Sequence, residues 1–363
     1  MRVAAIDLFT YRLPTARPLP VGHLKINSRD GVVIRLTAAS GAIGWGEAAP
    51  LPGLSREAVA DILRELGALA AELRQNEVPP GIERLDGRLE NWATVATLSP
   101  SARCGLEMAL LNALAAETGV TLARLLSPDA PETIALNGLL DGPASAAARE
   151  YLGRGYTSVK AKVGRHSLDA DIELVRALHR ELRGQASLRL DANRAWSLEQ
   201  ARHFADRVSD CSIGYIEEPC ASSGDLRQFI HSASLAVALD ESLLELSLNE
   251  LSDFSHIAAV VLKPTLLGGF ERAAGLARWA RERDIKVVVS SSFESSVGLG
   301  ALAQFAAAFG TPGVAMGLDT AHYLANDLLS EPLGTMRPTL DIRRIAAVSG
   351  AVRMDRLMPA PAE

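Results

Sequence analysis

Five apolar, strand-like runs follow one another in the middle of this chain, and each closes on ionisable residues. They are Ser-Val-Lys160-Ala-Lys162-Val, Leu-Arg189-Leu-Asp191-Ala-Asn193, Gly-Tyr-Ile-Glu217-Glu-Pro, Val-Ala-Leu-Asp240-Glu-Ser and Val-Val-Leu-Lys263-Pro. The order is lysine, three acids, lysine. Three carboxylates with no His or Cys beside them suit a hard cation bound through oxygen, Mg²⁺ first, with Mn²⁺ able to substitute. The metal ligands expected on this reading are Asp191, Glu217 and Asp240. Lysines beside them suit proton transfer, because crowding among ammonium groups in a partly buried site lowers their pKa and a neutral lysine is a competent base. Lys160 and Lys162 are two apart and face the same way on a strand. Arg189 shares the inward face with Asp191, and Glu218, Glu241 and Asn193 stand behind the main groups.

A lone Lys-x-Lys pair is usually a solvated strand face, and a lone acid at a turn is usually a cap or an ion pair. The elements around these residues argue otherwise. From Thr133 onward, strand-like runs begin near Thr133, Thr157, Ser187, Ile213, Ala236, Ala258, Lys286 and Val314, at intervals of 22 to 30 residues. Amphipathic helical patterns lie between most of them, such as 167–183, 198–208 and 270–283. About eight alternating units predict an α/β fold, a (β/α)8-type barrel of modified TIM form with a short last helix. Such strands are covered on both faces, so the lysines point to the barrel's mouth. The C-terminal strand ends, where barrel sites are built, carry the acids.

Residues 1–125 predict an α+β capping domain: alternating segments at 3–12, 31–37 and 42–47, then helices over 55–74, capped by Ser55, and 101–118. The barrel occupies 126–331. A tail, 332–363, returns to the first domain through Leu340, Ile342, Ile345, Val348 and Val352, and its Pro/Ala end at 359–363 is expected to be disordered. The loop 23–30 and the segment 50–55, with Gly53, are expected to form a lid over the mouth. The turns Ser290-Ser291-Ser292 and Gly317-Leu318-Asp319-Thr320 close the last two strands and offer hydroxyls and amides to an anionic substrate group. The expected substrate contacts are therefore Arg189, Ser290, Ser291, Ser292, Gly317 and Gly53.

Composition narrows the function further. A net charge of −6 and the lack of a basic run argue against a nucleic-acid partner. No apolar stretch is long enough for a bilayer, and the charge at Asp7 comes too early for a secretory leader. Three cysteines without paired spacing fit a reducing cytoplasm. Seven scattered histidines, and the lack of a nucleophile elbow, P-loop or dinucleotide fingerprint, turn attention away from hydrolysis and nucleotide chemistry. A small carboxylate is the expected partner, and the sequence leaves the oligomeric state open.

The strings Val-Lys160-Ala-Lys162-Val-Gly164, Asp191-Ala-Asn193-Arg194-Ala-Trp196, Glu217-Glu218-Pro219-Cys220, Asp240-Glu241-Ser242, Lys263-Pro264-Thr265 and Ser290-Ser-Ser-Phe-Glu294 resemble the enolase superfamily in its muconate-lactonizing subgroup. With Gly44-Trp45-Gly46-Glu47 and Pro50-Leu51-Pro52-Gly53, the match covers nearly the whole chain and looks most like the o-succinylbenzoate synthase branch. That resemblance implies a Mg²⁺-dependent syn dehydration of a succinyl-bearing hydroxycyclohexadiene carboxylate in menaquinone biosynthesis. Lys162 would take the proton alpha to the ring carboxylate and then assist loss of the hydroxyl. The enediolate would rest on Mg²⁺, with Lys263 as cationic support and Lys160 supporting Lys162. The Ser290–Ser292 turn and Gly317 would hold the succinyl group. The rivals are N-succinylamino acid racemisation, dipeptide epimerisation and muconate cycloisomerisation, and, from another class, a non-catalytic barrel whose charges form an ion-pair network. The eighth strand lacks an Asp-x-Asp of the kind dipeptide epimerases use, and the seventh lacks a His base.

Overall fold

The computed structural model describes all residues except 23, 141–143, 233, 335 and 361–363, and the side chains of 93 and 94. Three long antiparallel strands open the chain: β1 (Val3–Val21), β2 (Leu24–Ala38) and β3 (Ile43–Ala48). The β1–β2 pairing runs from Val3↔Ala38 to Val21↔Leu24, with irregularities between Val3 and Ala5 and between Pro14 and Leu19. The expected loop at 24–30 is therefore strand. Its hairpin turns at Gly22, whose φ of +56° suits glycine. His23 lies outside the described residues.

Helices Val59–Gln75 and Pro100–Thr118 cover one side of this sheet. Ser55 does not cap the first of them. Its Oγ accepts from Leu51 N at 2.9 Å instead, and Asp61 receives the Ala58 N–H at 2.9 Å. The strand and the second helix approach so closely that Gly46 is obligatory, since a Cβ there would overlap the Gly105 carbonyl oxygen.

The barrel follows. A short β4 (Thr133–Ala135) leads to β5 (Gly138–Leu140), β6 (Ser158–Lys162), β7 (Ser187–Asp191), β8 (Ile213–Glu217), β9 (Val237–Leu239), β10 (Ile257–Leu262) and β11 (Lys286–Val289). From β5 to β11 the strands form one parallel sheet in chain order. The first expected run is thus split into β4, which also pairs antiparallel with β12 (Thr339–Asp341), and β5. The eighth run, near Val314, is reduced to bridges, yet it closes the ring. Met316 N donates to Ala135 O at 2.8 Å on one side, and Gly317 N donates to Val289 O at 2.9 Å on the other.

Helices Leu168–Leu182, Leu198–Arg207, Ser223–Ser232, Phe270–Arg281 and Ser296–Phe309 wrap the outside. After the eighth run only a 3₁₀ turn, Ala321–Tyr323, remains. Within the tail, helix Ile342–Val348 packs against barrel helix Ser296–Phe309. Contact with the cap comes later, where β13 (Met358–Pro359) pairs with β1 and Ala360 N donates to Leu8 O at 2.9 Å. Pro359, expected to be disordered, is part of that strand, and 361–363 lie outside the described residues.

Overpacking at a helix–strand contact costs about 1–3 kcal/mol. Gly46→Ala should therefore lower the denaturation midpoint clearly, whereas Gly153→Ala, with open space around it, should leave it unchanged. Equal midpoints for the two variants would contradict the close approach.

Candidate functional site

At the C-terminal end of the barrel lies a cavity of about 300 Å³. The barrel contributes Lys160, Lys162, Asp191, Lys263, Ser290–Phe293 and Gly317 to its wall, and the cap contributes Pro20–Gly22, Leu51, Gly53 and Leu54. Strand register explains the grouping. Lys160 pairs with Arg189, Lys162 with Asp191 and Asp191 with Glu217, so the alternation of side chains puts the ionisable groups on the inner face in two layers.

The charges interlock. Lys160 Nζ donates to Glu217 Oε2 at 2.9 Å and stands 3.6 Å from Asp191 Oδ2. Lys263 Nζ is paired with Asp240 Oδ2. Lys162 Nζ donates to Asn193 Oδ1 at 3.3 Å and lies 3.9 Å from Asp191. Burial works against the charge on Lys160, but Glu217, Asp191 and Asp240 outweigh it and raise its pKa. The same contest, with Asp240 and Glu241 as partners, raises Lys263. Lys162 goes the other way. Burial dominates, the charges of Lys160, Arg165 and Lys263 add to it, and Asp191 offsets only part. The sequence reading that the two neighbouring lysines depress each other is thus corrected: only Lys162 falls, because only Lys160 sits among carboxylates.

Asp191 is held below the ordinary carboxylate range, its burial being overcome by Lys160, Lys162 and Lys263. Glu217 is pushed up to about 7 by burial and by Asp191 and Asp240, against the pull of Lys160. Three buried carboxylates that repel one another are a donor set a divalent cation would relieve, and all their ligand atoms are hard oxygens. As they stand, Asp240 and Glu217 each turn to a lysine, and among the described residues no three His, Cys, Asp or Glu side chains converge on one point. Seating a cation among Asp191, Glu217 and Asp240 therefore means displacing ammonium groups from them.

Glu218 is fully buried and accepts from Asp240 N, Ser242 N and Ser242 Oγ at 2.8–2.9 Å, which fixes the start of the Asp240 turn. Glu241 does not stand behind the site as expected. It lines the cavity, accepts from Asn193 Nδ2 at 3.1 Å and keeps Oε2 buried without a partner. Strand alternation fails there because β9 ends at Leu239 and Glu241 opens the helical turn Ser242–Glu245, whose Ser-Leu-Leu-Glu pattern is the sequence signal for it. Arg194, a further wall residue, is directed by two successive left-handed residues, Asn193 (φ +44°) and Arg194 (φ +60°).

Arg189 does not reach the cavity. Its guanidinium donates to Ala315 O at 2.7 Å and lies over the Tyr215 ring at 5.1 Å, deeper in the barrel. Gly317 lines the wall, but its N–H and carbonyl are both spent closing the barrel, so it offers no amide. It offers space instead, since a Cβ would stand 2.6 Å from Ser290 Oγ. The amides of Ser290, Ser291 and Ser292 are likewise taken, by Leu262 O, Gly317 O and Glu294 Oε2. Ser290 Oγ donates to Gly317 O and Ser291 Oγ pairs with Thr320 Oγ1. Only the Ser292 hydroxyl among the three is buried and without a partner. Asp319 is committed to Tyr156 OH at 2.6 Å.

Fold and site together define a capped-barrel enzyme with a lysine–carboxylate centre. Residues 144–344 match the enolase C-terminal domain-like family, and residues 1–113 match the N-terminal domain of MenC. An o-succinylbenzoate synthase of Yersinia pseudotuberculosis is 33% identical over 88% of this chain and 90% of that protein. Protein PHYLLO, chloroplastic, of Arabidopsis thaliana is 35% identical over 85% of this chain, which spans only 20% of the plant protein's length. Among solved structures, a muconate lactonizing enzyme of Pseudomonas fluorescens complexed with muconolactone superposes with a TM-score of 0.83 (23% identity, 98% of each chain). A dipeptide epimerase of Enterococcus faecalis complexed with Mg and a dipeptide gives 0.82 (20% identity, 99% and 100% of the two chains). The chain belongs to the enolase superfamily, with an N-terminal domain of the MenC type. It is an enzyme, and the lyase class fits its relatives. No helix among the described residues is long and apolar enough to cross a membrane.

The contrast among the lysines is open to measurement. In metal-free protein, amine acylation followed by mass spectrometry across a pH series should modify Lys162 at lower pH than Lys160 or Lys263. If Lys160 reacts first, the ordering derived from their partners is wrong.

Proposed function

We propose that the protein is an o-succinylbenzoate synthase, removing water from a succinyl-bearing hydroxycyclohexadiene carboxylate to give o-succinylbenzoate in menaquinone biosynthesis. The observation that carries this reading is the combination of a MenC-type cap with a mouth in which one lysine, Lys162, is held toward its neutral form while its neighbours stay charged. The named bacterial relatives support the same activity.

In this reading neutral Lys162 takes the proton alpha to the ring carboxylate. It then returns that proton to the hydroxyl on the same face, so that the C–O bond breaks, water leaves and the ring becomes aromatic. One amine serving as base and then as acid needs no second proton carrier, which suits a syn elimination. Lys263 lends positive charge to the developing enediolate, a contribution of the oxyanion-stabilising kind. Lys160 keeps the Glu217 side chain in place. The free Ser292 hydroxyl receives the succinyl arm. A divalent cation held by Asp191, Glu217 and Asp240, most suitably Mg²⁺ with Mn²⁺ as substitute, would supply further charge for the substrate carboxylate. Unpaired cysteines at Cys104, Cys211 and Cys220 suit a cytoplasmic setting.

A second reading, racemisation of N-succinylamino acids, draws on one observation: Lys162 on β6 and Lys263 after β10 line the same cavity and could address two faces of a substrate. The Asp319 commitment to Tyr156 weighs against dipeptide epimerisation.

Dehydration should stop with EDTA and return with Mg²⁺. Lys162→Ala should abolish both α-proton exchange and dehydration, and Lys263→Ala should slow dehydration by a few kcal/mol, about 10²–10³-fold. Lys263→Arg should recover part of the dehydration but none of a racemase activity, which needs a base there. Full turnover in EDTA, or substantial dehydration by Lys162→Ala, would overturn the assignment.

A further inference from the structure

Arg29 stands on β2 with no exposed surface. Its Nη1 donates to Pro50 O at 2.7 Å, its Nη2 to Ala49 O at 2.9 Å and its Nε to Phe293 O at 3.2 Å. The first two carbonyls lead directly into Leu51–Leu54, the cap wall of the cavity. The third ends the Ser290–Phe293 wall of the barrel. Burying a guanidinium is costly unless its N–H groups are used. Here the planar fork holds three main-chain oxygens at fixed spacing, a task its rigid geometry suits and a single ammonium does not.

Phe293 needs such an anchor. Its φ of +61° is uncommon for a bulky residue, and a strained conformation persists only where its surroundings over-determine it. Its ring meets Tyr323 edge-on at 5.4 Å, and Arg29 takes its carbonyl. On the neighbouring strand Glu47, also fully buried, accepts from Ser295 N at 2.9 Å, Ser295 Oγ at 2.5 Å and Gly298 N at 2.7 Å. Glu47 thus grips the barrel turn just beyond Phe293, whereas Arg29 joins that turn to the Pro50 segment.

We propose that Arg29 is a specificity-determining positioning residue. By tying Ala49–Pro50 to Phe293 it sets the separation of the two cavity walls, and so the length of the acyl arm the site accepts. Only the nature of that arm, succinyl, rests on the function proposed above.

The test compares Arg29→Lys with wild type. Calorimetry would give the affinities for o-succinylbenzoate and for its glutaryl homologue, one methylene longer, with KM and kcat for dehydration measured alongside. One methylene is worth about 10-fold or more in a fitted pocket. Wild type should prefer the succinyl compound by about that factor, and Arg29→Lys should bring the ratio close to one, raising KM while kcat stays within about threefold. If Arg29→Lys fails to fold, Arg29→Gln carries the comparison. Glu47→Gln serves as the structural control: it should lower the denaturation midpoint and leave the succinyl-to-glutaryl ratio in place. The proposal is overturned if both affinities fall by one factor, if the ratio does not move, or if Glu47→Gln moves it as far. It is also overturned if wild type binds the two ligands equally or binds neither. A wild type that prefers o-succinylbenzoate yet dehydrates nothing would sink the functional reading alone, and the ratio would still judge Arg29.

Discussion

A parallel sheet closed into a ring leaves its strands no wet face. Helices cover the outside and the ring's own side chains fill the inside, so a charge on a barrel strand reaches solvent only at a rim. Much of this molecule follows from that constraint. Lys160, Lys162, Asp191 and Glu217 occupy inward positions of β6, β7 and β8 near the C-terminal end, and Asp240 and Lys263 stand just past β9 and β10. Water is scarce there, so each charge must find another. Lys160 finds Glu217 and Asp191, and Lys263 finds Asp240. Lys162, nearest the opening, is left with an amide oxygen at 3.3 Å and a carboxylate only at 3.9 Å. Its difference in proton affinity arises from its place at the top of β6, without any special partner.

The rim would be an open bowl without the first domain. The hairpin of β1 and β2 brings Pro20–Gly22 over the mouth, and the segment after β3 brings Leu51–Leu54. Two adjacent cap strands then reach into the barrel with opposite charges, Arg29 to Phe293 and Glu47 to Ser295 and Gly298. Both are fully buried, so leaving either without its hydrogen-bond partners would be costly. The cap is therefore joined at two points to the turn that carries Ser290–Ser292, by Arg29 at Phe293 and by Glu47 beyond it.

How far this was legible in the sequence depended on whether the signal was local. Alternation on a covered strand was enough to turn Lys160 and Lys162 inward, and matching strand ends grouped Asp191 with Glu217 and Asp240. Proline-rich 14–20 concealed the second half of β1, because residues that interrupt most strands are tolerated where pairing is already irregular, as between Pro14 and Leu19. Alternation also misplaced Glu241, whose strand had ended two residues earlier. Arg189 was read onto the correct face but one layer too high. Glu47 closes the Gly44–Glu47 string and Arg29 falls in the expected lid loop, but their contacts to the barrel had no signature, since Phe293 and Ser295 lie 264 and 248 residues away along the chain. Contacts at that separation belong to tertiary packing.

The same charges that stabilise the resting site also bear on what it can receive. Lys160, Lys162, Lys263 and Arg194 face Asp191, Glu217, Asp240 and Glu241 at the mouth, so the cluster is formally close to neutral before anything binds. With Lys162 neutral, as a base must be, the carboxylates exceed the ammonium groups, and an anionic substrate would meet a negative site. In the proposed reading a divalent cation reverses that sign. It adds two positive charges among acids that already repel one another, as the raised Glu217 records, and so relieves them while making the mouth attractive to a substrate bearing carboxylates. The crowding of Asp191, Glu217 and Asp240 and the lowered proton affinity of Lys162 would then serve one balance: a cation would answer the acids, and Lys162 would not be needed to do so.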